Sequence, residues 1–314
     1  MWLQGIAAIL PQVQNEFNIR DQASGLIITS CMIGMIVGGI LWGSLADIIG
    51  RKPSFTLTLL IAFIFGTSAA ISPTFAILCV LLALMGIGVG GNLPVDGALF
   101  LEFVPAEQQG LLTLLSLFWP AGSVLSSLIS LALIPGHSCS VDTDELCTSD
   151  SNRGWRYVLL TLGLITLAML ISRVLFFRLL ESPKFLLSRG KVDEAVLTLK
   201  ILAKRNGKEV DLDARDFENL RQDTLVNEPQ EKETRWEQFS QLFSSKMWIT
   251  TILVWLIWIF VSFGYTMFNG FLTKFLESRG GDPLTQSQLY IRYVIVNLFG
   301  IPGSILGMMY RNLM

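Results

Sequence analysis

Long apolar runs, separated by a few polar residues, decide what this chain can fold into. About twenty mostly apolar residues extend from Ser24 to Trp42, and about eighteen more from Ser54 to Ile71. Coiled as a helix, each run is long enough to cross a hydrocarbon layer of roughly 30 Å. Inside such a layer a backbone must satisfy its own polar groups, and a helix does so within one segment. The runs are joined by Gly43–Pro53, Gly-Ser-Leu-Ala-Asp-Ile-Ile-Gly-Arg-Lys-Pro. A connection this short makes them a helical hairpin with both ends of the loop on one side of a membrane.

The same pattern recurs along the chain. Complete spans are predicted at about 24–44, 55–72, 75–100, 110–134, 155–177 and 247–272, with a seventh at about 289–310. Residues 1–13 are apolar but rise only about 20 Å as a helix, so they read as the last half of a first span. Only 15% of residues are charged, against about a quarter in a soluble domain. The expected fold is an all-α polytopic membrane protein of about seven full spans plus a half-helix.

Lys and Arg set the orientation. Of the 23 such residues, 13 lie between Arg178 and Lys246, which places that segment in the cytoplasm and the Gly43–Pro53 hinge on the same side by parity. The expected organisation is a first transmembrane part over 1–177, a cytoplasmic segment with amphipathic helices over 178–246, and the start of a second transmembrane part over 247–314. Within the middle segment Ser182-Pro183 starts a helix, serine as cap and proline at its first position. Val192, Ala195, Val196, Leu199 and Leu202 continue at helical spacing. Residues 205–235 read as a mobile linker, and Trp236, Phe239, Leu242 and Phe243 mark a short interfacial helix. The external loop from Pro135 to Arg153 carries Cys139 and Cys147, either a disulfide or two free thiols.

Polar residues inside apolar spans are costly and mark functional candidates. Asn92 and Asp96 lie four apart on one helix face, and Asp96 either lines a cavity or braces the cytoplasmic end. Tyr265 and Asn269 share a face of an aromatic span, and Asn297 lies one turn inward of Tyr293 in the last. These five are the candidate cavity residues. Gly86, Gly88 and Gly91 satisfy a GxGxxG spacing, but inside a span they read as a close-packing face, as do Gly34, Gly38 and Gly39. Trp155 is an interfacial anchor candidate. With one histidine and neither CxxC nor HExxH, metal-site chemistry has few ligands. No nucleophile and base pair marks an enzyme, and the net charge of −2 gives no reason to expect nucleic acid as a partner.

Four motifs resemble the major facilitator superfamily, in its sugar-porter-like, organic-ion and synaptic-vesicle-related group. Gly43, Leu45, Asp47, Gly50, Arg51 and Lys52 match its loop pattern Gly-x-Leu-x-Asp-Arg-x-Gly-Arg-Arg/Lys, with Ile48 in place of the first arginine. Glu102, Pro105 and Gly110 match Glu-x-x-Pro-x-x-x-Arg-Gly, with Gln109 in place of the arginine. Leu180-Glu-Ser-Pro-Lys-Phe-Leu and the following Gly190-Lys-x-x-Glu-Ala195 match Pro-Glu-Ser-Pro-Arg-(Trp/Phe)-Leu and Gly-Lys-x-x-Glu-Ala, with only the leading proline changed outright. Leu10-Pro-Gln-Val-Gln14 matches the end of the family's first helix.

The resemblance implies two halves of six helices rocking around a site near the midplane, moving a small solute such as a sugar or organic ion. It implies a cytoplasmic gate built from Gly43, Asp47, Gly50, Arg51, Lys52, Glu102, Glu181 and Lys184. No cofactor is implied, and coupling to protons, as in a symporter, is compatible with it. Measured against the family, the sequence lacks half of helix 1 and helices 9–12. The alternative is a membrane sensor or receptor, or a degenerate fragment, that keeps the fold without transporting. The partners are the lipid bilayer and a small solute, and the chain is an integral multi-pass protein with no address for a particular membrane.

Overall fold

The computed structural model of the chain describes residues 1–105, 108, 111–139, 151–177, 180–208, 210–213, 215, 217, 240–244, 247–279 and 285–311. Cys147, Gln109, Gly110, Trp236, Phe239 and most of the expected linker fall outside them. All regular structure among the described residues is helical. In chain order the helices are α1 (Trp2–Phe17), α2 (Asp21–Ser24), α3 (Leu26–Ile49), α4 (Arg51–Ala69), α5 (Phe75–Phe103), α6 (Leu112–Leu115) and α7 (Phe118–Leu133). They continue with α8 (Gly154–Ser172), which runs into a π-helical turn at Arg173–Phe177, then α9 (Pro183–Ser188), α10 (Val192–Arg205), α11 (Trp248–Arg279), α12 (Gln286–Leu298) and α13 (Gly300–Arg311). Among the described residues six helical stretches are long and apolar enough to span a membrane: 21–49, 51–69, 75–103, 154–175, 248–277 and 286–306.

The differences from the expected spans are physical. The hinge at Gly43–Pro53 is almost all helix, because α3 runs to Ile49 and α4 starts at Arg51. Gly50 alone turns the chain, at φ 106° and ψ 162°, a region open in practice only to glycine. The half-helix extends to Phe17, beyond the expected limit at 13, and ends on Asn18 in the left-handed conformation.

The expected span at 110–134 is divided into α6 and α7. Pro120 has no N–H to give the Ser116 carbonyl, which the Trp119 N–H takes at 3.2 Å as a tighter turn. The last span is divided in the same way at Phe299, three residues before Pro302. Gly43 has nothing within 4 Å of where a Cβ would stand, so it does not permit a close helix approach.

The chain forms two compact units, Met1–Phe185 with Asn269–Met314, and Leu186–Phe268. In the first, α3 lies along α5 with backbones in contact. A Cβ on Gly34 would strike the Ala83 carbonyl, one on Gly38 that of Ile87, one on Gly86 that of Cys31 and one on Gly90 that of Met35. Small residues thus interlock two apolar helices, which gain little from hydrophobic burial against each other in lipid. Helix α1 lies buried along nearly its whole length, Ile6, Ile9, Leu10 and Val13 joining the core with Leu78, Leu82, Met85, Leu159 and Leu162.

In the second unit, α10 buries Ala195, Val196 and Thr198. The 248–268 part of α11 exposes nearly all its side chains, Trp258 and Phe260 among them.

Candidate functional site

Polar side chains concentrate at the two ends and in the middle of the first unit. At one end, the turn at Gly50 exposes the free N–H groups that begin α4. The Glu181 carboxylate caps them, Oε1 accepting from the Arg51 N–H at 2.8 Å and the Lys52 N–H at 3.3 Å. A Cβ on residue 50 would stand 2.7 Å from Glu181 Oε2, so the glycine permits the cap as well as the turn. The Arg51 guanidinium reaches the other way. Nη1 donates to Asp47 at 2.7 Å, and Nε and Nη2 donate to Glu102 Oε1 at 3.2 and 3.1 Å. Asp47, Arg51, Glu102 and Glu181 therefore join α3, α4, α5 and the approach to α9. Glu181 meets the backbone of Arg51 and not its side chain. Lys52, Lys184 and Ile48 are exposed, and Gly43 lies outside the cluster.

A second group lies one to two turns along α5. Thr58 on α4 donates to Asn92 Oδ1 at 2.6 Å. Asp96 is half-buried, with Oδ1 sealed from solvent and lacking a hydrogen-bond partner. The positive charge acting on it is Arg173, at the start of the π-helical turn. Arg173 donates to the Phe55 carbonyl at 3.0 Å and stacks on the Phe55 ring. Asn92 and Asp96 thus face α4 and the end of α8.

The third group centres on Gln4 of α1, 2% exposed. Its Nε2 donates to Asn269 Oδ1 of α11 at 3.0 Å and to Asn297 Oδ1 of α12 at 2.8 Å. Hydroxyls from the same two helices reach α1 carbonyls: Tyr293 to Gln4 at 2.8 Å, Tyr290 to Ala8 at 2.8 Å and Thr273 to Ala7 at 2.6 Å. The structure therefore brings Asn269 and Asn297 together and leaves Asn92 and Asp96 in a separate group. Tyr265 belongs to the second unit, where it is partly exposed.

Towards the other end, Glu16 of α1 is buried. Its Oε1 takes Arg156 Nη2 at 2.7 Å; its Oε2 takes Arg156 Nη1 at 2.8 Å and the Trp155 indole N–H at 2.7 Å. Trp155 is fully buried, which corrects its reading as an interfacial anchor. Lys274 of α11 donates to Gln14 at 2.7 Å and pairs with Asp21. Cys139 is disulfide-bonded, while Cys147 lies outside the described residues. The sequence reading missed Gln4, Glu16, Arg173 and Thr273. Of these, only Thr273 had a legible signal, the proline inside α1 that frees a carbonyl for it.

Long apolar helices interlocked by glycines, with uncharged polar side chains joining early and late helices in the core, define a polytopic helical membrane protein. The family model for the Major Facilitator Superfamily matches residues 2–312, and the chain belongs to that superfamily. It is 36% identical over 314 residues to a siderochrome iron transporter of Ceriporiopsis subvermispora, covering 95% of this chain and 59% of that one. It is 29% identical over 301 residues to the niacin transporter NiaP of Acinetobacter baylyi, covering 96% and 61%. The xylose transporter XylE of E. coli, in a partially occluded inward open conformation, shares the fold at a TM-score of 0.68 and 18% identity, over 98% of this chain and 68% of that one. The chain spans less than two thirds of the length of these curated relatives. Superfamily members are not enzymes, so this chain is not one.

Proposed function

We propose that the chain is part of a secondary transporter that moves a small hydrogen-bonding solute by alternating access. The observation that carries this reading is Gln4 held between Asn269 and Asn297. One buried amide on the first helix ties two helices of the later half. Uncharged amides in such a setting bind hydroxyl, amide or carboxylate groups, and they release them without breaking an ion pair. Asp96, a carboxylate within a span, is the group for proton coupling. Gly50, Asp47, Arg51, Lys52, Glu102, Glu181 and Lys184 form the cytoplasmic gate. The end carrying Gln14, Asp21 and Lys274 faces outward.

The relatives direct the choice of solute. Their names point to niacin and siderochrome iron, and a structural neighbour is a proton:xylose symporter. The test is uptake of radiolabelled nicotinate, xylose and a ferric siderochrome by vesicles carrying the full-length protein, with and without a protonophore. The reading expects saturable uptake of one of them, reduced at least tenfold by Gln4→Leu. Binding of a solute without flux would replace transport by a sensor or receptor function.

A further inference from the structure

Helix α1 contains a proline, Pro11, at its tenth residue, deep inside the helix. Pro11 has no N–H, so the carbonyl four residues earlier, that of Ala7, loses its helical donor. Ala7 is 1% exposed, and a buried carbonyl left without a donor is costly. Thr273 of α11, itself 0% exposed, supplies the missing donor at 2.6 Å. The carbonyls of Gln4 and Ala8 also accept hydroxyls, from Tyr293 and Tyr290. Both differ from Ala7, because the residues four positions on, Ala8 and Gln12, have N–H groups to give. At Ala7 the bond across the helices replaces a lost bond instead of supplementing one.

We infer that Thr273 is a positioning residue of the transport cycle, closing the outer end by satisfying the carbonyl that Pro11 leaves free. The inference rests on the alternating-access reading. When α11 and α12 separate from α1, water entering the opening takes over the Ala7 carbonyl. The helix thus carries one acceptor that either Thr273 or water must satisfy, and removing Thr273 favours the open arrangement.

The test uses the full-length chain in sealed vesicles, with Cys31 and Cys79 changed to alanine and Ala8→Cys as reporter. Ala8 is 0% exposed, so its reaction with a membrane-impermeant maleimide measures opening. Thr273→Val, which keeps the shape and removes the hydroxyl, is expected to speed labelling about fivefold, the factor for one net hydrogen bond. Thr273→Ser should label at the unmodified rate. In Pro11→Ala, whose restored N–H serves Ala7 in both arrangements, adding Thr273→Val should change the rate less than about twofold, the non-additivity of groups that share one acceptor. Three results overturn the inference: Thr273→Val at the unmodified rate, an undiminished effect in Pro11→Ala, or Thr273→Ser behaving like Thr273→Val. A fourth result, faster labelling only from the Arg51 face, overturns it as well, because the opening would then lie at the end opposite to the one that Thr273 closes.

Discussion

Removing the Glu16 carboxylate should be among the most damaging single changes in the first unit, and removing its arginine partner as well should repair part of the damage. The Glu16 side chain is 5% exposed and that of Arg156 17%. The two form a two-point pair at 2.7 and 2.8 Å, with the Trp155 N–H as a third donor. Glu16→Ala leaves a largely buried guanidinium without its carboxylate, a change that costs about 3–5 kcal/mol. The double variant Glu16→Ala, Arg156→Leu leaves no such charge; its main loss is the partner of the buried Trp155 N–H, about 1–3 kcal/mol. The double variant should therefore be about 2 kcal/mol more stable than Glu16→Ala alone. The assay heats the full-length protein in mild detergent with a maleimide dye that fluoresces on reacting with Cys31, which is buried in the folded state. Midpoints should fall in the order unmodified, double variant, Glu16→Ala. A Glu16→Ala midpoint equal to the unmodified one, or a double variant below both single variants, would refute the reasoning.

Three further outcomes follow from single contacts. Gly50→Ala places a Cβ 2.7 Å from Glu181 Oε2 at a φ of 106° and should cost about 1–3 kcal/mol, read as a lower midpoint in the same assay. Gly38→Val drives a side chain into the Ile87 carbonyl, so the protein should fail to elute as a single species on size exclusion. Asp47→Asn weakens the pair with Arg51, which is half exposed on the Asp47 side; it should lower solute uptake severalfold while leaving membrane insertion, measured by protease protection, unchanged.

Much of this architecture is legible in the residues because lipid imposes a simple rule: a polar backbone group must be bonded within its own segment. Run lengths alone therefore place α3, α4, α5 and α8 within about five residues, whereas α11 runs to Arg279, past the expected end at 272, and the expected span at 289–310 is divided into α12 and α13. The divided span at α6 and α7 was also readable in principle from Pro120, but its apolar composition hid it. The inner cluster was recognisable as a motif, yet the role of Glu181 was not. A carboxylate meeting a cation and one capping a helix have the same composition, and only the turn at Gly50 distinguishes them.

The core site was less legible. Asn269 and Asn297 stood out as polar residues in spans, whereas Gln4 lay in a segment too short to read as a complete helix. Its partners lie more than 260 residues away in the chain, beyond the reach of any local periodicity. Glu16 was hidden for the same reason, resembling an ordinary polar residue at the end of an apolar run.

Alternating access requires that a bound solute carry the protein from one side to the other. The measurement that tests this most directly is solute exchange. A solute that raises the midpoint of the full-length protein in the Cys31 assay is loaded into sealed vesicles, and entry of the same labelled solute is timed against empty vesicles. The account expects faster entry into loaded vesicles, because the protein returns with solute bound. A solute that raises the midpoint but enters no faster into loaded vesicles than into empty ones would contradict it.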